Sequence, residues 1–459
     1  MWSFLVAFLG TARFDAYTSA RVSVVPVVQV VPDAGEPPEY ICDETMTTPF
    51  AKLTHVILDL DGTLINTEQL VDEVVSAVLH KRGDFTASRV RKAMEQVRGM
   101  RPSDGTRAIM DILDIRNVSV EEMLAETSAL LDARWGEVSM MPGAARLLDH
   151  LHAHGVKTAL ATSTPAEFLV KKMASHDGWV ERLSAIATGD EVVNGKPSPD
   201  IFALAAERLG VDPQTCLVLE DTPLGVKAAK AAGAFAIAIP SIHDDFAAYE
   251  DAGADQTIRS LYDFEPERWG LPPFADRVDV AVPSGKNLGD AAFESVLPLR
   301  PVIRLGGPVV RGFGRGSSTL GIPTANLDVA PIKKESDALA PGIYFGWAGL
   351  RGDASDGARG KDDVVAPMVM SIGWNPFFEN ARKTVEPWLL RDFGKDGDFY
   401  GRELRLAVLG YVRPEANFAS LEKLIERIHR DADVARGALA MERFEGAKED
   451  PYIKFLDGA

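Results

Sequence analysis

The stretch HVILDLDGTLINTE (His55–Glu68) ends an apolar run with two carboxylates two residues apart, Asp59 and Asp61. Successive strand side chains face opposite ways, so this spacing predicts two acids on one face at the strand's carboxyl end. Like charges held together are costly unless a cation or a proton lies between them. Asp61-Gly62 by itself reads as turn chemistry, which accounts for one acid and not for the pair. Reactive residue types also close later apolar runs: Thr162 and Ser163 after KTALA, and Glu220 and Asp221 after TCLVL, with Lys196 in the loop NGKPSPD. The set supplies carboxylates that suit Mg2+, hydroxyls for a phosphate oxygen, and a cation. An aspartate beside Mg2+ and a lysine can attack phosphorus. A second carboxyl can then protonate the leaving alkoxide and activate water.

A different chemistry is written in GFGRGSSTLGIPTANLD (Gly312–Asp328). Gly312, Gly314, Gly316 and Gly321 let backbone N–H groups crowd toward an anion without Cβ obstruction. Thr324 and Asn326 offer a hydroxyl and an amide on one strand face. The Gly-Lys-Ser/Thr ending of a Walker loop is missing.

The elements that must hold the first set alternate between apolar strands and helical stretches from residue 52 to 262, which predicts a doubly wound α/β parallel sheet. The strands HVILDLD, VKTALATST, AIATGD, TCLVLED and FAIAIP are apolar throughout, as strands covered on both faces are. SPDIFALAAERLG reads as a helix capped by Ser198, with Pro199 first and Gly210 past its end. A helical insert over 68–140 leaves the chain just after the aspartate pair, placed to act as a lid. Residues 263–296 dissolve into Pro, Gly and polar residues and read as a linker. From 297 to 459, Gly-rich turns between short strands predict a small antiparallel β-barrel followed by a C-terminal helix with a Leu421, Leu424, Ile425, Ile428 stripe. Gly352–Asp363 reads as a solvated loop.

The bulk numbers set outer limits. A formal charge of −18 over 459 residues argues against nucleic acid and anionic membranes as partners, both of which need a basic footprint. No stretch reaches the roughly 18 apolar residues of a membrane span. Cys42 and Cys216 stand in no metal or redox spacing, which fits a reducing compartment. Residues 1–51 form an extension that is either disordered or a targeting segment. The expected location is cytoplasmic, or plastid or mitochondrial if that extension targets. No protein partner is implied.

The motifs DLDGT, ATST, GKPSPD and LEDTPLGV occur in order over 52–262, and this set resembles the haloacid dehalogenase-like hydrolase superfamily. The resemblance implies Asp59 as nucleophile and Asp61 as general acid/base, with Thr162 and Lys196 on the transferring phosphoryl group. It implies Mg2+ on Asp59, Asp221 and the Asp61 backbone carbonyl, with Glu220 beside it and the helical insert as the cap. The Gly312 loop with PGIYFGWA, SIGWNPFF, TVEPWLL, DFYGREL and GYVRPEANFASLEKL resembles riboflavin kinase over about 297–452. That resemblance implies a six-stranded barrel and ATP on the loop at Gly312, Gly314 and Gly316, with Thr324 and Asn326 holding Mg2+ and the phosphates. It implies Glu386 as general base, Leu389, Arg391 and Tyr400 against the nucleotide, and Arg413 and Phe418 against the flavin. The family usually carries Lys where this chain has Ser318, with Arg315 nearby to compensate, and Ala416 replaces a longer side chain. Together the halves resemble the bifunctional FMN hydrolase/riboflavin kinases of plants and algae, with riboflavin, FMN and ATP/ADP as ligands. The alternative pairs a riboflavin kinase with a phosphatase for a sugar phosphate or another small phosphomonoester.

Overall fold

The apolar run His55–Leu58 forms β1, and its Val56, Ile57 and Leu58 are fully buried because strands flank it on both sides. A computed structural model describes residues 53–174, 176, 178–240, 246–282, 293–310, 324–352, 363–374, 383–393, 399–416, 418 and 420–456. The extension 1–51, the glycines at 312, 314, 316 and 321, Arg315, Ser318 and most of the Gly352–Asp363 loop lie outside the described residues.

The chain continues with helices α1 (Glu68–His80), α2 (Ala87–Glu95), α3 (Pro102–Leu113), α4 (Val120–Asp132) and α5 (Ala144–Ala153). Then come β2 (Lys157–Ala161), α6 (Ala166–Met173), β3 (Ala185–Ala187), α7 (Asp200–Leu209), β4 (Cys216–Glu220), α8 (Pro223–Ala231), β5 (Phe235–Ala238), α9 (Phe246–Asp251) and β6 (Gln256–Thr257). The six strands are all parallel, in the order β3-β2-β1-β4-β5-β6, so their carboxyl ends share one edge. α7 begins one residue later than the sequence suggests, with Pro199 at the cap, and ends on left-handed Gly210.

The insert α1–α4 closes a hydrophobic centre of its own around Val78, Leu79, Val90, Met94, Ile109, Met110, Leu113 and Met123. Its boundaries follow local chemistry. Ser119 and Glu122 form a reciprocal capping box at α4, Thr86 caps α2, and Pro102 opens α3. Both chain crossings into the insert lie side by side: Asn66 N–H donates to Ser139 O at 2.9 Å and Met141 N–H to Leu64 O at 2.8 Å. Such a two-stranded hinge leaves the insert free to move as a unit.

The second half holds β7 (Val278–Ala281), β8 (Phe293–Val310), β9 (Asn326–Leu327), α10 (Lys333–Asp337), β10 (Gly342–Leu350), β11 (Val364–Trp374), β12 (Lys383–Leu389), β13 (Glu403–Arg413) and α11 (Leu421–Leu439). The antiparallel order β12-β11-β10-β13-β8 continues to β7 on one path, while β9 pairs with β8 on another. Ala325 N–H donates to Pro387 O of β12 at 2.9 Å, which closes β8, β9, β12, β11, β10 and β13 into a ring of six. Alternation along the strands separates two cores. Tyr344, Ala348, Met368, Met370, Val385, Leu389, Leu404 and Leu406 fill the inside. Ile343, Phe345, Val369, Trp388 and Leu409 point outward and pack on Leu424, Ile428, Ala432 and Ala435 of α11.

The structure departs from the expected linker over 263–296. Phe264, Trp269 and Leu271 are buried in the core of the first domain, with Phe274 packed against it. β7 instead adds to β8 and buries Val280 under α11. Pro, Gly and Asp flank each of these apolar residues and break the periodicity that would have revealed them. The two domains meet where Tyr411 donates to Asp263 Oδ1 at 3.0 Å and packs at a tilt against Tyr262, ring centroids 5.2 Å apart.

Candidate active sites

β1 ends at Leu58, and the chain then turns through Gly62 at φ +87°. A Cβ on Gly62 would stand 2.0 Å from Asp221 Oδ2, so only glycine lets this turn approach β4. Asp59 keeps the sheet going by one bond, N–H to Leu219 O at 3.0 Å. It is 5% exposed, and its Oδ1 accepts from Lys196 Nζ at 2.6 Å. The same ammonium donates to Glu220 Oε1 at 2.5 Å. Glu220 Oε2 accepts from the Thr222 N–H at 2.7 Å and from its hydroxyl at 2.9 Å, just where α8 starts. Gly225 completes the fit, since a Cβ there would lie 1.8 Å from Glu220 Oε1. Both Glu220 oxygens are therefore engaged, and its task is to hold Lys196.

Asp59, Glu220 and Asp221 each offer a ligand oxygen within 4.8 Å of the others, the one such cluster among the described residues. Buried oxygen donors of this kind fit Mg2+, and two acids opposed by a single lysine leave negative charge for it to neutralise. Burial pushes Asp59 up to about 7 against the pull of Lys196, with Glu220 and Asp61 adding to the rise. Burial also raises Asp221 well above the usual aspartate range, helped by Glu220 and Asp59. The folded, metal-free domain thus holds protons that the unfolded chain releases near pH 4. Its stability falls as pH rises between about 4 and 7, the sign for an acid whose folded value is raised. Thermal unfolding in chelator should show the first domain losing about 3 °C or more from pH 5 to 7.5, and Mg2+ should restore more at the higher pH.

Asp61 does not join the acidic trio, contrary to the expectation of two acids on one strand face. The strand stops too early for alternation to govern residue 61. Three donors hold its carboxylate instead: Thr67 at 2.7 Å and Lys172 at 2.6 Å on Oδ1, and Thr164 at 2.7 Å on Oδ2. Burial would raise Asp61, but the Lys172 ammonium and the hydrogen bonds from Lys172, Thr164 and Thr67 outweigh it and hold the carboxyl below the usual range. Thr162 lies fully buried beneath the site, its hydroxyl accepting from Thr164 N–H at 3.1 Å. Ser163 faces the cap and donates to Gly99 O at 2.9 Å.

Above these groups, between sheet edge and cap, is a cavity of about 250 Å3. Asp59, Asp61 and Asp221 form its floor, and Val71, Val75, Met94, Ile109, Leu131 and Trp135 its apolar wall. Arg98 also reaches it, 3.3 Å from Asp72 and 3.6 Å from Glu68. Lys172, Thr164 and Thr67 were not singled out in the sequence. The one signal for Lys172 was its place on an apolar helix face, three residues after Leu169 and beside Met173.

In the second domain Ala325 and Leu327 point into the barrel, so Thr324 and Asn326 face outward. On neighbouring β12, Val385 and Leu389 point inward, which sets Glu386 on the same outer face, next to the Ala325–Pro387 bond. Burial raises the Glu386 carboxyl above the usual glutamate range, with Glu415 adding to the shift and a hydrogen bond with Thr384 opposing it. The Glu415 carboxylate lies over Gly373 of β11, where a Cβ would meet it at 2.1 Å. Leu389 is 2% exposed inside the core, so any part it has in nucleotide binding falls to its backbone. Arg391 and Tyr400 are exposed. Gly401 N–H donates to Val309 O at 2.8 Å, which puts Tyr400 beside the end of β8, where it pairs with β9. Arg413 forks onto Asp431 at 2.9 and 2.6 Å, with Phe418 under its guanidinium at 5.8 Å. That fork ties the end of β13 to α11 and occupies Arg413, so Phe418 is the better placed of the two to meet a ligand.

Residues 53–233 match the haloacid dehalogenase-like hydrolase family and residues 299–439 the riboflavin kinase family. A protein of Arabidopsis thaliana, "Bifunctional riboflavin kinase/FMN phosphatase", is 44% identical over 89% of this chain and 99% of its own length. The chain belongs to that bifunctional family. Its first half alone is 38% identical to "(DL)-glycerol-3-phosphatase 2" of Arabidopsis thaliana, over 50% of this chain and 97% of that protein. Its second half is 43% identical to human "Riboflavin kinase", over 32% of this chain and 88% of that protein. Family membership thus covers both sites described above. Among the described residues no helix is long and apolar enough to cross a membrane.

Proposed function

We propose that the chain runs two opposed phosphoryl transfers: ATP-dependent phosphorylation of riboflavin in the second domain and hydrolysis of FMN in the first. The similarity that spans both domains of the bifunctional relative carries this reading. The domains take the bounds 52–262 and 297–459, with residues 263–274 packed on the first and β7 on the second.

In the first domain, Asp59 attacks phosphorus and the bond to the ribityl oxygen breaks, while the Asp61 carboxyl gives its proton to that oxygen. Water then attacks the aspartyl phosphate, returns a proton to Asp61, and releases phosphate and free Asp59. Lys196, pinned by Glu220, and Thr162 beneath it stabilise the transferring group. Mg2+ would be held by Asp59, Asp221 and the Asp61 carbonyl, and would offset charge on the phosphoryl oxygens. The apolar cavity wall favours a flat aromatic ring over a glycerol phosphate.

In the second domain, Glu386 takes the proton of the ribityl 5′-hydroxyl as its oxygen attacks the γ-phosphorus of ATP. Its raised proton affinity suits a base that works near neutral pH. Thr324 and Asn326 offer neutral oxygen donors where Mg2+ and the triphosphate would meet, and the Gly312, Gly314 and Gly316 backbone would cradle the phosphates. Arg391 and Tyr400 would edge the nucleotide, and Phe418 the flavin.

A phosphate-release panel on the full chain, with FMN, glycerol 3-phosphate and sugar phosphates, tests the substrate. FMN is expected to give a kcat/KM at least about tenfold above the others, the range that apolar pocket contacts supply. A preference for glycerol 3-phosphate would replace FMN with a small phosphomonoester.

A further inference from the structure

Lys172 is a buried lysine that neither phosphoryl centre uses directly. It lies on α6, where its neighbours Leu169 and Met173 enter the core of the first domain. Its Nζ donates to Asp61 Oδ1 at 2.6 Å and to Thr164 Oγ1 at 2.8 Å, and Thr164 in turn donates to Asp61 Oδ2 at 2.7 Å. The three groups form a closed triangle that leaves the carboxylate one orientation. The cap seals it from the other side: the Trp135 ring, just past α4, lies 5.0 Å from the ammonium. One residue earlier, Lys171 pairs with cap residue Asp132 at 2.6 Å. A buried ammonium needs a strong reason to stay charged, and Asp61 is its one carboxylate partner among the ion pairs of the described residues.

We propose that Lys172 is a positioning residue for FMN hydrolysis, which holds the Asp61 carboxyl in line with the leaving oxygen once the cap has brought Trp135 over it. This rests on the general acid/base role given to Asp61 above. The proton that passes to the ribityl oxygen comes from Asp61, and water returns it, so Lys172 itself exchanges nothing. Thr67, the third donor to Asp61, sits at the cap hinge, so cap position and acid orientation are mechanically linked.

The test uses the leaving group. An alkoxide needs a proton as it departs, whereas p-nitrophenolate leaves without one, so loss of acid positioning should spare p-nitrophenyl phosphate. In the full-length protein, Lys172→Met is expected to lower kcat/KM, which ends at departure of the leaving group, about 30-fold or more for FMN and less than about 3-fold for p-nitrophenyl phosphate. On an Asp61→Asn background the same change should cost less than about 2-fold further, because the residue it positions is already gone. Lys172→Gln repeats the comparison if the Met variant does not fold. Equal losses on both substrates, or an FMN loss below about 3-fold, would overturn the proposal. If Asp61→Asn itself fails to discriminate between the two substrates, the role of Asp61 falls. If Asp61→Asn discriminates and Lys172→Met does not, the role of Lys172 alone falls.

Discussion

Asp59→Asn is expected to lower FMN hydrolysis by about 10³-fold or more and to leave riboflavin kinase turnover within about 2-fold. The amide keeps the size of the side chain and loses its nucleophilic oxygen, so no aspartyl phosphate can form. The change is nearly silent for folding. Asp59 is one of two carboxylates on Lys196, and Glu220 remains to hold that ammonium at 2.5 Å. Burial and Glu220 raise Asp221 most, and Asp59 adds to that rise, so removing Asp59 relieves part of the repulsion on Asp221. The metal-free variant should therefore unfold at a temperature equal to or above that of the parent, even as hydrolysis disappears. Phosphate release from FMN, measured beside a thermal scan in chelator, reads both. A variant that retains more than about a tenth of the parent rate would remove Asp59 from the chemistry.

Glu386→Gln should do the reverse, lowering FMN synthesis by about 10² to 10⁴-fold while phosphate release from FMN continues. Glu386 stands outside the barrel wall beside Thr324 and Asn326, and Val385 and Leu389 on the inward face of β12 maintain the fold without it. Burial raises its carboxyl above the ordinary range, so the base is stronger than a solvated glutamate and a neutral amide cannot replace it. The loss is expected in kcat more than in KM for either substrate, since proton removal belongs to the transition state. An unchanged kcat with a raised KM for riboflavin would make Glu386 a binding group.

How much of this was legible in the sequence depended on how local each determinant is. Apolar strands followed by reactive residues marked Asp59, Thr162, Glu220 and Asp221, because a parallel sheet presents all its carboxyl ends on one edge, and Lys196 stood in the loop before α7. The barrel was expected from Gly-rich turns between short strands, and the shared face of Thr324 and Asn326 from period-two alternation. Alternation failed at Asp61, where Gly62 at φ +87° turns the chain and donors from three separate segments set the side chain. Lys172 lies 111 residues from Asp61 along the chain, and its place on an apolar helix face is the one local mark that sets it apart from a lysine that covers a helix edge. Phe264, Trp269 and Leu271 were hidden among Pro and Gly, whose turn chemistry masks isolated anchors. Leu389 and Arg413 sit in motifs whose role is easy to assign as contact, yet one faces the barrel core and the other is forked onto Asp431.

The two activities placed in one chain predict a cycle that consumes ATP without net product. Full-length protein with Mg2+, excess ATP and a trace of riboflavin should release many equivalents of phosphate per riboflavin, with FMN steady throughout. With Asp59→Asn, ATP consumption should stop after one equivalent per riboflavin, all of it now FMN; with Glu386→Gln, no FMN should form. Phosphate release that ignores riboflavin, or ATP consumption that continues past one equivalent in the Asp59→Asn protein, would contradict two separate phosphoryl centres working in opposition.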